Sequence, residues 1–214
     1  MLYATGVTTR DQPLGGWLAS LASRNPTPGG GATAALSAAT GAALIGMVAS
    51  YTTGPKWADR DRRMRALADE ASMLRADALA VADDDIAAFS AVGAAYKLPR
   101  QAPAEQAARS AEIERALIQA AGPPVRAGQL AARVVEMAAE LADSGNPSVL
   151  SDVAVAASAA RAALEAAMVN IEINRREIKD SEEAARLDAI VGELEAAVGP
   201  AGRVVGAVRE RLRS

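Results

Sequence analysis

The chain has 214 residues, half of them hydrophobic yet with only one Phe, two Trp and three Tyr, and a formal net charge of −3. It contains no cysteine and no histidine. That excludes disulfides, thiolate nucleophiles, a Ser-His-Asp triad, an imidazole base and Cys- or His-ligated metals. The length suits one domain with its own core, so residues 1–214 are read as a single unit, and the alanine-rich apolar content favours close-packed helices over strands.

In chain order, residues 1–10 are expected to be flexible. Met1–Gln12 lack the basic segment and apolar core of a secretory signal, which points to a cytoplasmic protein. A first helix is predicted from about Asp11 to Ser23, with Leu14, Trp17, Leu18 and Leu21 on one side. Asn25-Pro26-Thr27-Pro28-Gly29-Gly30-Gly31-Ala32 follows, opening an uncharged run from Ala32 to Thr53. Glycine lets another group approach the main chain closely, and a glycine loop at a helix start offers unpaired N–H groups and the positive end of the helix dipole. Such a loop is either a cradle for a carboxylate, a carbonyl or a ring edge, or a tight turn between packed helices. The run after it is long enough to span a membrane, but its Ala, Gly, Ser and Thr content suits a helix buried inside a bundle.

Thr53-Gly54-Pro55 is a helix-stop signal. A long third helix is expected from about Trp57 to Tyr96, because Met64, Leu67, Ala71, Leu74, Ala78, Val81, Ile86, Phe89 and Val92 keep helical spacing. A fourth starts at Pro103 and must break or kink at Gly122-Pro123-Pro124. A fifth continues to about Asp143, a sixth spans roughly Val149 to Arg176, and a charged seventh from Ser181 to Arg213 is expected to bend at Gly199-Pro200. The fold class is an all-α antiparallel bundle of long and short helices.

Four groups of residues could carry chemistry. Asp83-Asp84-Asp85 lies deep in the long helix, where neighbours point about 100° apart and cannot share one target. Asp85, four residues from both Val81 and Phe89, is the one placed to face inwards, and burial against apolar surface raises a carboxylate's pKa into the range of a useful base. A magnesium motif of the isoprenoid-synthase kind would need a second acidic cluster and a longer chain. Asn170 and Asn174, four apart, share a helix face and offer amide donors and acceptors suited to a heterocycle. Ser151-Asp152 either caps the sixth helix or binds a ligand. Lys56, one of three lysines, could hold a carboxylate. Asp152 and Asn170 lie five turns apart on one face, roughly 27 Å along an unbroken helix. Either the ligand is long, the site combines two subunits, or one of the two residues is structural.

Taken in order, Pro26-Thr27-Pro28-Gly29-Gly30-Gly31, Gly41-Ala42-Ala43-Leu44, Met47-Val48, Thr53-Gly54-Pro55-Lys56, Asp84-Asp85 before Ala88-Phe89, Leu98-Pro99, Gly145-Asn146, Ser151-Asp152 with Val155-Ala156, and Asn170-Ile171-Glu172-Ile173-Asn174 resemble the cyclodeaminase/cyclohydrolase family of folate enzymes. The resemblance spans about Gly15 to Leu212. Two positions depart from the family: Pro55 replaces the first of a basic pair, and Glu172 adds a charge between the two asparagines. The resemblance implies an all-helical homodimer acting on a tetrahydrofolate substrate, with no permanently bound cofactor and no metal. It implies Asp85 as the catalytic residue and Gly29, Gly30, Gly31, Lys56, Asn146, Ser151, Asp152, Asn170 and Asn174 as substrate-binding residues. Neither nucleic acid nor a membrane is an expected partner. Two activities fit it: hydrolysis of 5,10-methenyltetrahydrofolate, and release of ammonia from 5-formiminotetrahydrofolate. A folate-binding helical dimer without turnover is a third reading.

Overall fold

A computed structural model describes residues 7–213; the expectations for Met1–Gly6 and for Ser214 lie outside the described residues. Seven α-helices occur among the described residues: α1 (Leu14–Leu21), α2 (Gly30–Ser50), α3 (Asp61–Tyr96), α4 (Pro103–Ala120), α5 (Gly122–Ser144), α6 (Leu150–Arg175) and α7 (Ser181–Arg211). Short 3-10 turns at Pro55–Trp57 and Pro147–Val149 lead into α3 and α6, and no strand occurs among the described residues.

Individual pairs set the directions. Arg63 bonds Glu140 and Arg133 bonds Glu70, so α3 and α5 run antiparallel. Gly31 lies against Asp85 and Gly46 against Ala71, which sets α2 antiparallel to α3. Gly41 meets Ala156 while Gly30 meets Asn170, so α6 also runs antiparallel to α2. α5 packs against α2, α3, α6 and α7. It therefore lies beneath them and leaves the outer sides of α2 and α6 on one surface.

Small residues make this closeness possible. A Cβ on Gly41 would stand 3.0 Å from Val134 Cγ1 and 3.2 Å from the Ala156 carbonyl. The core is correspondingly rich in alanine, with Ile45, Met64, Leu67, Met137, Leu141, Leu164, Ile171 and Leu187 among its largest fully buried side chains. α2 and the Pro147–Arg175 stretch are long and apolar enough to cross a membrane by length and composition, and 56% of the apolar window of α2 is buried within the fold.

Two sequence expectations need correction. α1 is shorter than Asp11–Ser23, and Leu14 and Leu18 are exposed. Its buried arc centres on Trp17 and turns towards Ser20 rather than towards Leu18. The Gly199-Pro200 pair, where a bend is expected, falls inside α7, which continues as helix on both sides of it. The carbonyl that this proline frees belongs to Ala196, an exposed residue. Part of the amino-terminal segment is anchored: Thr9 is buried, and its N–H and hydroxyl both donate to Asp83 Oδ1, at 2.8 and 2.6 Å.

Candidate functional site

The antiparallel register brings the start of α2, the carboxy-terminal half of α3 and the carboxy-terminal ends of α4 and α6 to one end of the bundle. A cavity of about 380 Å³ opens there. Its walls are the Pro26–Gly31 loop, Asp85, Phe89, Val92, Gly93 and Tyr96 from α3, Leu117 and Ala120 from α4, and Asn170, Ile173, Asn174 and Glu177 from α6 and the turn beyond it.

Asp85 lies against the glycine loop. A Cβ on residue 31 would stand 2.0 Å from Asp85 Oδ1, so only glycine leaves room for this carboxylate. Burial pushes the Asp85 pKa above its ordinary 3.8, and the Ala32 main-chain N–H, which favours the ionised form, opposes that in part. The start of α2 does meet an anion, but the anion is the protein's own Asp85. The rest of the acidic run points elsewhere: Asp83 is taken by Thr9, and Asp84 is exposed.

The two asparagines fill the opposite wall. Asn170 Nδ2 donates to the Ala166 carbonyl at 2.8 Å, and Asn174 Nδ2 donates to the carbonyls of Ala120 and Asn170 at 3.2 and 3.0 Å. Asn174 thus spends both N–H donors on main chain and Asn170 spends one of its two, while both Oδ1 acceptors have no partner among the described residues. A Cβ on Gly30 would stand 3.2 Å from Asn170 Nδ2. No Lys or Arg lines the cavity. Carboxylate and amide oxygens therefore dominate its polar surface, which suits a cationic or N–H-rich ligand with an apolar body.

The matches to known proteins follow the same extent of chain. The formiminotransferase-cyclodeaminase family profile matches residues 13–193. The methenyltetrahydrofolate cyclohydrolase of Methylorubrum extorquens is 35% identical over 199 residues, covering 92% of this chain and 94% of that one. The chain belongs to the formiminotransferase-cyclodeaminase family. Another relative, the formimidoyltransferase-cyclodeaminase of Mus musculus, is 35% identical over 171 residues, and there the match covers 79% of this chain but 32% of the longer mouse protein. The crystal structure of a formiminotetrahydrofolate cyclodeaminase from Thermotoga maritima superposes with a TM-score of 0.86 at 28% identity, over 95% of this chain and 98% of that one.

Within this family member the expected site residues fall into two groups. Gly29, Gly30, Gly31, Asp85, Asn170 and Asn174 line the one cavity. Lys56, Asn146, Ser151 and Asp152 lie at the opposite end of the bundle, roughly 30 Å away along the 21 residues of α2. Gly54, at φ 92°, turns the chain there and donates its N–H to Asp61 Oδ1 at 2.6 Å. Lys56 is exposed, its Nζ 5.0 Å from the centroid of the Trp57 ring. Asn146 is used locally: its Nδ2 donates to the Tyr51 carbonyl at 2.9 Å and its Oδ1 accepts from Ser148 N–H at 3.0 Å. Ser151 and Asp152 sit in the first turn of α6 without capping it.

Sequence reasoning missed Tyr96 and Glu177. The signal was available: Asp85, Phe89, Val92 and Tyr96 recur at helical spacing, as do Asn170, Asn174 and Glu177. Phe89 and Val92 are read from spacing alone as part of the apolar side of the long helix, yet Phe89 is 52% exposed and both line the cavity.

Proposed function

We propose that the protein is a methenyltetrahydrofolate cyclohydrolase, with Asp85 as its general base. The observation that carries this reading is a carboxylate of raised pKa held against Gly31, in a cavity free of cationic side chains and large enough for a bicyclic ring. The bridging carbon of 5,10-methenyltetrahydrofolate belongs to a cationic amidinium, and oxygen-lined surroundings favour it. Asp85 takes a proton from water as the water oxygen bonds to that carbon. The tetrahedral adduct then collapses: its hydroxyl proton leaves as the formyl carbonyl forms, the carbon–N5 bond breaks, and Asp85 returns its proton to N5. The product is 10-formyltetrahydrofolate, with one proton released overall. The match over nearly the full length of the Methylorubrum cyclohydrolase supports this activity.

Formiminotetrahydrofolate cyclodeaminase activity is the second reading, favoured by the superposition on the Thermotoga cyclodeaminase. There N10 attacks the formimino carbon and ammonia leaves through a tetrahedral centre at the same carbon. Methenyl absorbance separates the two. Its loss from the methenyl compound identifies hydrolysis, its appearance from the formimino compound identifies deamination, and no change with either substrate overturns both.

The active unit is a homodimer in the cytoplasm, without a resident cofactor and with neither nucleic acid nor membrane as partner. The division of the site residues into two groups supports the dimer. Val155, Val169 and Ile173 are exposed along α6, beside the outer side of α2. A two-fold axis perpendicular to these helices would set each of them antiparallel to its copy. The end of α2 in one subunit would then lie beside the start of α2 in the other. Gly29, Gly30, Gly31, Asp85, Asn170 and Asn174 of one subunit would face Lys56, Asn146, Ser151 and Asp152 of its partner. Lys56 of the partner subunit would supply the cation that the cavity lacks, placed for the substrate's glutamate carboxylates.

A further inference from the structure

We propose that Glu177, held by Tyr96, selects the substrate's ring by accepting the two parallel N–H donors on the 2-amino–N3 edge of the reduced pterin. This rests on the folate reading above and assigns a role to the end of the cavity beyond Asn174. Glu177 follows α6 in a turn closed by its own N–H to the Asn174 carbonyl at 3.1 Å. From Asn170 to Glu177 the wall extends about 10 Å, comparable to a bicyclic ring with a hydrogen bond at each end. A ring whose bridge carbon meets Asp85 therefore presents its far edge to Glu177.

The chemistry of that edge fits. The Tyr96 hydroxyl, from the end of α3, donates to Glu177 Oε2 and ties the two walls together. Oε1 has no partner among the described residues, and no Lys or Arg there forms an ion pair with Glu177. Arg109 and Lys179 line the adjoining hollow, and neither forms an ion pair with Glu177. Arg109 donates to the Tyr96 carbonyl at 3.1 Å and lies 5.5 Å from its ring centroid, and the Lys179 main-chain N–H donates to Glu114 at 2.7 Å. A carboxylate without a cation that is nonetheless held in place is a prepared acceptor, and a carboxylate receives two parallel N–H groups with good geometry. The neighbouring carboxylate also raises the Tyr96 pKa, which keeps its hydroxyl protonated as the donor. An anionic glutamate tail would be repelled at this end, so the tail leaves past the glycine loop.

The test compares 5,10-methenyltetrahydrofolate with its 2-desamino-2-methyl analogue, which lacks the amino donor. Wild-type kcat/KM should be about 100-fold or more lower for the analogue. In Glu177→Ala that ratio should fall towards one, through loss with the natural substrate. Tyr96→Phe removes the tie without the acceptor and should keep part of the discrimination. Melting temperatures of the variants show whether each is folded. If Glu177→Ala discriminates as wild type does, or if wild type turns over both compounds equally, the assignment of Glu177 is overturned while the cyclohydrolase reading stands. If wild type turns over neither the methenyl nor the formimino compound, the folate reading fails and takes this assignment with it.

Discussion

At the scale of single residues, the site depends on an atom that glycine lacks. Adding one methyl at residue 31 places carbon 2.0 Å from Asp85 Oδ1, whereas at residue 30 the nearest atom, Asn170 Nδ2, is 3.2 Å away and sits on a side chain that can give. Gly31→Ala should therefore displace Asp85 and lower kcat/KM by about two orders of magnitude, with a much smaller fall for Gly30→Ala. Steady-state kinetics beside thermal melts checks this, and equal losses in the two variants would contradict it. The pH dependence follows from the same carboxylate. Its pKa is raised above 3.8 by burial, and the base acts ionised, so kcat/KM should fall as pH drops through that raised value. For stability the sign is opposite. A group with a raised folded-state pKa contributes stability below its unfolded pKa, and that contribution is lost as pH rises through the folded value. Asp85→Asn should thus melt above wild type near neutral pH, with the gap closing below about pH 4, although its turnover is abolished. A variant that melts lower at neutral pH would show that the ionised carboxylate is stabilising where it stands.

At the scale of elements, helix boundaries were legible wherever the chain carries a stop or a cap. Gly54-Pro55, Pro103 and Gly122-Pro123-Pro124 all mark real ends or starts. α1 was misread because a two-turn helix gives too few residues to fix the orientation of its apolar side. α7 offers a direct test of a cap. Asp180 Oδ1 accepts from the N–H groups of Glu182 and Glu183 at 2.9 and 3.0 Å. Asp180→Ala should cost about 1 kcal/mol, or about 2–4 °C in a chain of this length, without changing turnover. Urea unfolding with an unchanged m-value checks the first part. A loss of activity would mean that the α6–α7 connection also shapes the cavity end at Glu177.

For the whole molecule, the instructive mismatch between sequence and structure is one of distance. Motif order grouped the glycine loop, Asp85, Asn170 and Asn174, and an antiparallel register brings these residues, far apart in sequence, to one cavity. It grouped Lys56, Asn146, Ser151 and Asp152 with them, and order along a chain cannot show that these lie at the other end of the same helices. Five turns between Asp152 and Asn170 already required a long ligand, a second subunit or a structural role for one of the two. The exposed apolar side of α6 favours the second subunit. The consequence is testable with two impaired proteins, assayed at a substrate concentration well below the raised KM. Asp85→Asn and Lys56→Glu should each turn over poorly, the first through lost chemistry and the second through a raised KM. Unfolded together and refolded, they should form mixed dimers in which one site carries both mutations and the other carries neither. Random pairing then restores about a quarter of wild-type activity, with the KM of the wild type. If both groups serve a site within one subunit, every subunit in the mixture carries a lesion, and the mixture is no more active than its better component.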